Sequence, residues 1–117
     1  MIKRIAFSVY PVKDLSKARF FYENLLGLQC TESFGDSWFE YDVGGTCFAI
    51  TSYEMPTFAA GTQGSVAFEV SDLDEMVRQL ESKGLKQAMD RMESPVCRGA
   101  FFRDPDGNLV GLHQVKA

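Results

Sequence analysis

Few side chains of this 117-residue chain could do chemistry: one histidine (His113), three cysteines (Cys30, Cys47 and Cys97) and the strand-borne carboxylates Glu40 and Glu69. A divalent metal takes imidazole, thiolate or carboxylate donors, and a nucleophile needs a base within hydrogen-bond reach. His113 stands two residues past Gly111, and Cys47 two before Ala49, so each shares a strand face with a small residue. As a pair, Cys47 and His113 could bind a metal or act as nucleophile and base, but no third ligand accompanies them. A histidine at a strand end is more often a surface or packing residue. Cys97 adjoins Arg98, a cation able to lower a thiol's pKa, although a packing thiol is the plainer reading. An odd number of cysteines without Cys-x-x-Cys spacing indicates neither a disulfide framework nor a zinc cluster, and all three read as reduced, mostly buried thiols.

The bulk numbers set the frame for those residues. A hydrophobic share of 45% and a charged share of 24% suit one folded domain over residues 1–117. The net charge of -4 gives no footprint for nucleic acid or anionic lipid. No apolar run is long enough to span a bilayer, and Met1-Ile2-Lys3-Arg4 leads into a strand-like segment instead of a signal peptide, so a cytoplasmic location is expected.

Periodicity places the elements. Residues 2–12 carry apolar side chains on both parities, which predicts a strand covered on both faces. Asp14 can cap a helix running to about Asn24, with Leu15, Ala18, Tyr22 and Leu25 on one stripe and Gly27 as its stop. Strands over 28–34, 38–43 and 46–51 follow, the last two joined by a tight turn at Gly44-Gly45. Residues 52–64 have no sustained period and hold a connector, 54–63. Then the pattern repeats. A strand over 65–70 precedes Asp72, Glu75 completes a capping-box pattern, Leu73, Met76, Val77 and Leu80 form a stripe, and Gly84 closes the helix. Strands near 85–89, 99–103 and 109–114 complete the second half, the last two flanking the turn Asp104-Pro105-Asp106-Gly107-Asn108. Val12-Lys13-Asp14-Leu15 matches Val70-Ser71-Asp72-Leu73, so an internal duplication of modules 1–53 and 64–117 is the simplest account.

Pro11-Val12-Lys13-Asp14-Leu15, Phe21-Tyr22, Leu26-Gly27-Leu28 and Asp104 to Asn108 together resemble the vicinal oxygen chelate superfamily, the glyoxalase, bleomycin-resistance and ring-cleaving dioxygenase group. The resemblance implies an α+β fold of two βαβββ modules whose strands curl into a cup, with the helices outside. It further implies that two chains pair as a homodimer and that the cup takes a small-molecule ligand. In metal-using members four side chains converge in that cup, one early in the first strand and one late in the last strand of each module. Here those positions fall on Phe7, Ala49, Ser65 and Gly111, none a credible ligand. No metal and no cofactor are therefore expected.

A cup without ligands offers space and apolar surface. Strand alternation puts Phe7 and Val9, Cys47 and Ala49, Ser65, Ala67 and Glu69, and Leu109, Gly111 and His113 on its face. If Gly44-Gly45 is a two-residue turn, Glu40 faces Ala49 and Trp38 faces Thr51, adding a carboxylate and an aromatic plate; a longer turn would select Phe39 and Tyr41. Aromatic residues on strands more often fill core than bind ligand. Glu40 and Glu69 in apolar surroundings would each need a partner or a shifted pKa. Three readings follow. The first is a metal-independent binding protein that sequesters a planar or aromatic ligand, similar in kind to the bleomycin-resistance proteins and with a role in antibiotic resistance. The second is a glyoxalase-type metalloenzyme, a lyase, isomerase or dioxygenase, with non-standard or dimer-supplied ligands. The third is a member acting through protein contacts.

Overall fold

Two aspartates begin the two helices. In the computed structural model, which describes residues 1–54 and 57–116, Asp14 accepts the backbone N–H of Lys17, and Asp72 that of Glu75, each at 3.1 Å. Both caps are extended, as an N-cap requires. The Glu75 carboxylate turns to Gln79, at 3.1 Å, and to Arg78 rather than back to its cap.

The chain divides into two compact units, Met1–Gln63 and Gly64–Ala117. The first contains β1 (Ser8–Pro11), α1 (Leu15–Arg19) with a π-helical continuation (Phe20–Leu25), β2 (Cys30–Phe34), β3 (Trp38–Val43) and β4 (Thr46–Thr51). The second contains β5 (Ser65–Glu69), α2 (Leu73–Ser82), β6 (Met92–Glu93), β7 (Cys97–Arg103) and β8 (Leu109–Val115). Each is βαβββ, and the class is α+β. Strand order is β1-β4-β3-β2 in one sheet and β5-β8-β7-β6 in the other. The first strand of each runs parallel to the last, and the remaining pairs are antiparallel.

A single helix lies on each sheet and decides which strand residues form core. In the first unit Ala18, Phe21 and Tyr22 are buried together with Tyr10, Tyr41, Phe48 and Ile50. Rings of Tyr22 and Phe48 meet at 5.1 Å, and those of Tyr10 and Phe48 at 5.7 Å. The buried Tyr41 hydroxyl donates to Glu23 at 2.9 Å, and Glu23 also takes Arg19 Nε at 2.7 Å, so burial leaves this polar group satisfied. In the second unit Leu73, Val77 and Leu80 of α2 are buried with Phe68, Ala100, Phe102, Val110 and Leu112.

Several boundaries differ from the sequence expectation. The first strand starts at Ser8, and Ile2 and Ile5 are 98% and 74% exposed, so residues 2–7 are not covered on both faces. As an edge strand β1 has one partner, and its ladder stops at Ser8↔Phe48. The first helix widens after Arg19, with Leu26 N–H reaching Phe21 O, which lets the adjacent Phe21 and Tyr22 both be buried. Leu28 N–H closes that helix on Tyr22 O at 2.9 Å, which delays β2 to Cys30. The strand expected near 85–89 is absent; one bond, Ala88 N–H to Phe101 O, crosses there, and β7 pairs with Met92–Glu93 instead. The Ser94-Pro95-Val96-Cys97 turn explains the shift. Ser94 Oγ takes the N–H groups of Val96 and Cys97 and folds the chain back directly before β7. Within the expected connector 54–63, Met55 and Pro56 lie outside the described residues, and Thr62 N–H closes a turn on Ala59 O.

The turn before β8 is held by a buried carboxylate. Asp104 Oδ1 accepts the N–H groups of Asp106 and Asn108, and its Oδ2 takes the Asn108 side-chain amide, all at 2.9 Å. Gly107 in this turn has φ +86, a conformation that glycine adopts freely. Asp104→Ala would remove the carboxylate that three N–H groups donate to, two of them on the fully buried Asn108. It is expected to lower unfolding free energy by about 2–3 kcal/mol, read from a urea titration at unchanged m-value.

Candidate functional site

With α1 on one face of the first sheet, every second strand residue is turned to the other. That uncovered face carries Val9, Cys47, Ala49, Trp38 and Glu40. The pairs Trp38↔Thr51, Glu40↔Ala49 and Val43↔Thr46 show the two-residue turn at Gly44-Gly45, so Trp38 and Glu40 stand on this side and Tyr41 is in the core. The Phe7 ring meets Trp38 edge-on at 5.2 Å. Trp38 Nε1–H donates to Glu40 Oε2 at 2.8 Å, which fixes the indole plane. The Cys47 thiol is pushed up, first by burial and then by the charge of Glu40 and a hydrogen bond to it. Burial and the neighbouring carboxylate thus both favour the neutral thiol. Phe7 remains 46% exposed, while Ala49 is fully buried at the floor.

A β-bulge adds an aromatic ring that sequence reading missed. The register shifts between Cys30 and Glu32, with Thr31 Oγ1 bonded to Glu40 O, so Glu32 faces Glu40 and Phe34 faces Trp38. Without it Ser33 would oppose Trp38. Phe34 is 58% exposed. No residue type around Thr31 announces the extra position.

The second unit brings Ser65, Glu69, Gly111 and His113 to the uncovered face of its own sheet. Ser65 is exposed and pairs with Leu109; Gly111 pairs with Ala67 and Phe101; His113 pairs with Glu69 and Gly99. His113 Nδ1 and Glu69 Oε1 are 2.5 Å apart, and Glu69 Oε2 takes Val115 N–H at 2.8 Å. Both carboxylates thus have partners. On the same sheet Cys97 stands diagonally from His113, two residues before Gly99, the residue opposite His113, and its thiol lies 3.3 Å from Ser94 Oγ. Ser94 first and His113 second hold the Cys97 thiol below its ordinary value. Arg98 is not the cause, since Asp74 and Glu93 engage its guanidinium at 2.8 and 2.7 Å. All three cysteines are free and half-buried, where mostly buried thiols were expected.

The positions that would carry metal in the resembled family do not fit a metal. Phe7 packs on Trp38, Ala49 is closed over, and Ser65 stands alone as a hydroxyl. A Cβ at Gly111 would lie 3.1 Å from Phe101 Cε1 and 3.2 Å from Ala67 Cβ, so a larger side chain there must displace its neighbours. Among the described residues no three His, Cys, Asp or Glu side chains are grouped to hold an ion. Also among them, no helix is long and apolar enough to cross a membrane.

The sequence profile of the Glyoxalase/Bleomycin resistance protein/Dioxygenase superfamily matches residues 2–112. YraH of Bacillus subtilis (strain 168), described as an uncharacterized protein, is 30% identical over 125 residues, covering 89% of this chain and 92% of that protein. TnmS3, an antibiotic binding protein from Streptomyces sp. CB03234, superimposes with a TM-score of 0.85 at 26% identity over 98% of each chain. A glyoxalase/bleomycin resistance protein from the same Streptomyces gives 0.79 at 26% identity, over 92% of this chain and 97% of that one. Lactoylglutathione lyase from Agrobacterium tumefaciens gives 0.78 at 20% identity over 97% and 95%, a likeness of fold alone.

The Glu69–His113 pair yields a pH signature. Glu69, and to a lesser degree Cys97, hold His113 above its ordinary 6.5, so that share of stability is complete below 6.5 and lost as pH rises through the folded value. His113 and the Val115 N–H hold Glu69 below 4.5, so that share is complete above 4.5 and lost as pH falls. The stability difference between the protein and its His113→Gln variant is therefore expected to peak between pH 4.5 and 6.5 and to shrink on both sides, read from thermal midpoints across pH. A difference independent of pH would refute the pairing.

Proposed function

Because the chain belongs to the glyoxalase/bleomycin resistance protein/dioxygenase superfamily, we propose that it is a metal-independent small-molecule-binding protein that sequesters a planar or aromatic ligand. The ligand lies against the uncovered face of the first unit. The observation that carries this reading is the locked indole of Trp38, with Phe7 edge-on at 5.2 Å and Glu40 on its N–H at 2.8 Å. An aromatic plate held in one orientation loses little freedom when a flat ligand stacks on it. Glu40, which accepts the Trp38 N–H, offers its remaining lone pairs to a donor on the ligand. Phe34, 58% exposed, extends the apolar rim. The likeness to an antibiotic binding protein over 98% of the chain supports a sequestering role, including resistance to a toxic ligand.

The protein acts on this reading as a cytoplasmic homodimer, one domain of two modules per chain. Exposed apolar side chains on both uncovered faces, Phe7, Phe34, Met92 and Val115, support association. The metalloenzyme alternative has no support from the donor set.

Elemental analysis of the purified protein, joined to thermal shift with a set of planar polycyclic aromatic compounds, separates the two. The expected result is no stoichiometric Zn, Ni, Mn or Fe and a rise in midpoint with at least one compound, unaffected by chelator. Trp38→Ala is expected to weaken binding about tenfold or more. Stoichiometric metal whose removal abolishes binding would overturn the proposal.

A further inference from the structure

The second unit brings a carboxylate, an imidazole and a thiol to one face of its sheet. Glu69 on β5, His113 on β8 and Cys97 on β7 come from three adjacent strands and share the uncovered face. Glu69 lies directly opposite His113, and Cys97 lies diagonally from it, two residues before Gly99, the residue opposite His113. Glu69 Oε1 occupies His113 Nδ1 at 2.5 Å, so Nε2 is the ring nitrogen left to serve the thiol. Glu69 is itself fixed by Val115 N–H at 2.8 Å, and Ser94 Oγ sits 3.3 Å from the sulfur. The register thus gathers a carboxylate, an imidazole and a thiol on one face, the three groups that a nucleophilic triad uses, with the Ser94 hydroxyl beside the sulfur.

We propose that Cys97, with His113 as its acid–base partner and Glu69 orienting that imidazole, captures electrophilic α,β-unsaturated carbonyl compounds by conjugate addition. The thiol proton passes to His113, and the thiolate sulfur bonds to the β-carbon of the acceptor. The C=C π pair moves to the carbonyl as an enolate, and the imidazolium returns the proton to the α-carbon. One S–C bond and one C–H bond form, one π bond and one S–H bond break, and no oxidant enters. The product is a thioether, one per chain.

Three observations select this electrophile class. An imidazolium beside the sulfur supplies the proton that addition requires, whereas a simple displacement gains nothing from it. Cys97 is the only cysteine of residues 64–117, so neither disulfide exchange nor oxidation has a resolving thiol within the unit. Farther along the same face the surface is apolar: Met92 Cε lies over Gly99 and Phe101 Cε1 over Gly111, which suits the hydrocarbon frame of a conjugated acceptor. The charged groups near the sulfur favour its ionised form. Besides His113, Lys116 acts on Cys97 in this direction, although Glu93 holds its ammonium at 2.8 Å. In the first unit, by contrast, Cys47 is pushed the other way by burial and Glu40.

The site does not depend on ligand binding at Trp38. Its test is labelling of the intact protein with N-ethylmaleimide, a conjugate acceptor, and with iodoacetamide, a displacement reagent, each followed residue by residue by peptide mass spectrometry. At about pH 6, Cys97 is expected to react with maleimide ~10-fold or more faster than Cys30 or Cys47. His113→Gln is expected to remove that advantage and move the pH profile of Cys97 back toward an ordinary thiol. It should slow maleimide more than iodoacetamide. Glu69→Gln should act in the same direction, to a smaller extent. Comparable rates at the three cysteines of the unsubstituted protein would overturn the proposal without any variant, and so would a fast Cys97 whose pH profile is unchanged in folded His113→Gln.

Discussion

Each sheet is covered by one helix on one face, and the rest of the structure depends on that constraint. Apolar and aromatic side chains under the helix fix strand parity: Tyr10, Tyr41, Phe48 and Ile50 must face α1, and Phe68, Ala100, Phe102, Val110 and Leu112 must face α2. Their strand neighbours are then turned to the opposite side whatever their type. A slip of one residue at Gly44-Gly45 would exchange Trp38 and Glu40 for Phe39 and Tyr41 and bury the wrong set. Positive φ at both glycines, +60 and +88, keeps the turn at two residues. Asp104 does equivalent work in the second unit, holding the turn that launches β8 through Asn108.

The same parity rule produces two faces of different chemistry. On the first, a carboxylate is satisfied by an indole, and the thiol on the neighbouring strand is pushed toward its neutral form by burial and by that carboxylate. On the second, a carboxylate is satisfied by an imidazole, and the thiol beyond that imidazole is drawn toward its ionised form. One pattern, a carboxylate fixing a ring on the uncovered face, thus orients an indole in one unit and an imidazole in the other.

Much of this was legible in the residues. Helix starts at Asp14 and Asp72, glycine stops at Gly27 and Gly84 and the two hairpin turns give βαβββ twice, and alternation puts Phe7, Trp38, Glu40, Cys47 and Ala49 on one face. What escaped reading is what depends on partners across strands. The bulge at Thr31 that presents Phe34 has no local composition signal. The Ser94 turn does have one, in Ser-Pro, and heeding it would have moved the sixth strand from 85–89 to Met92–Glu93 and placed Cys97 at a strand start beside β8. Arg98, the sequence neighbour of Cys97, is engaged by Asp74 and Glu93, and the thiol is lowered by Ser94 first and then by His113 on another strand.

The central claim is that the Trp38 face binds a flat ligand without metal, and Trp38 is the only tryptophan in the chain. Its fluorescence, followed in chelator-treated protein during titration with cationic, neutral and anionic planar polycyclic aromatics, therefore reports that face directly. Saturable quenching by at least one of them, with one ligand per chain and loss of affinity in Glu40→Gln or Phe7→Ala, is the predicted result. An unresponsive tryptophan in folded protein, or quenching that appears only after a divalent metal is restored, would contradict the account.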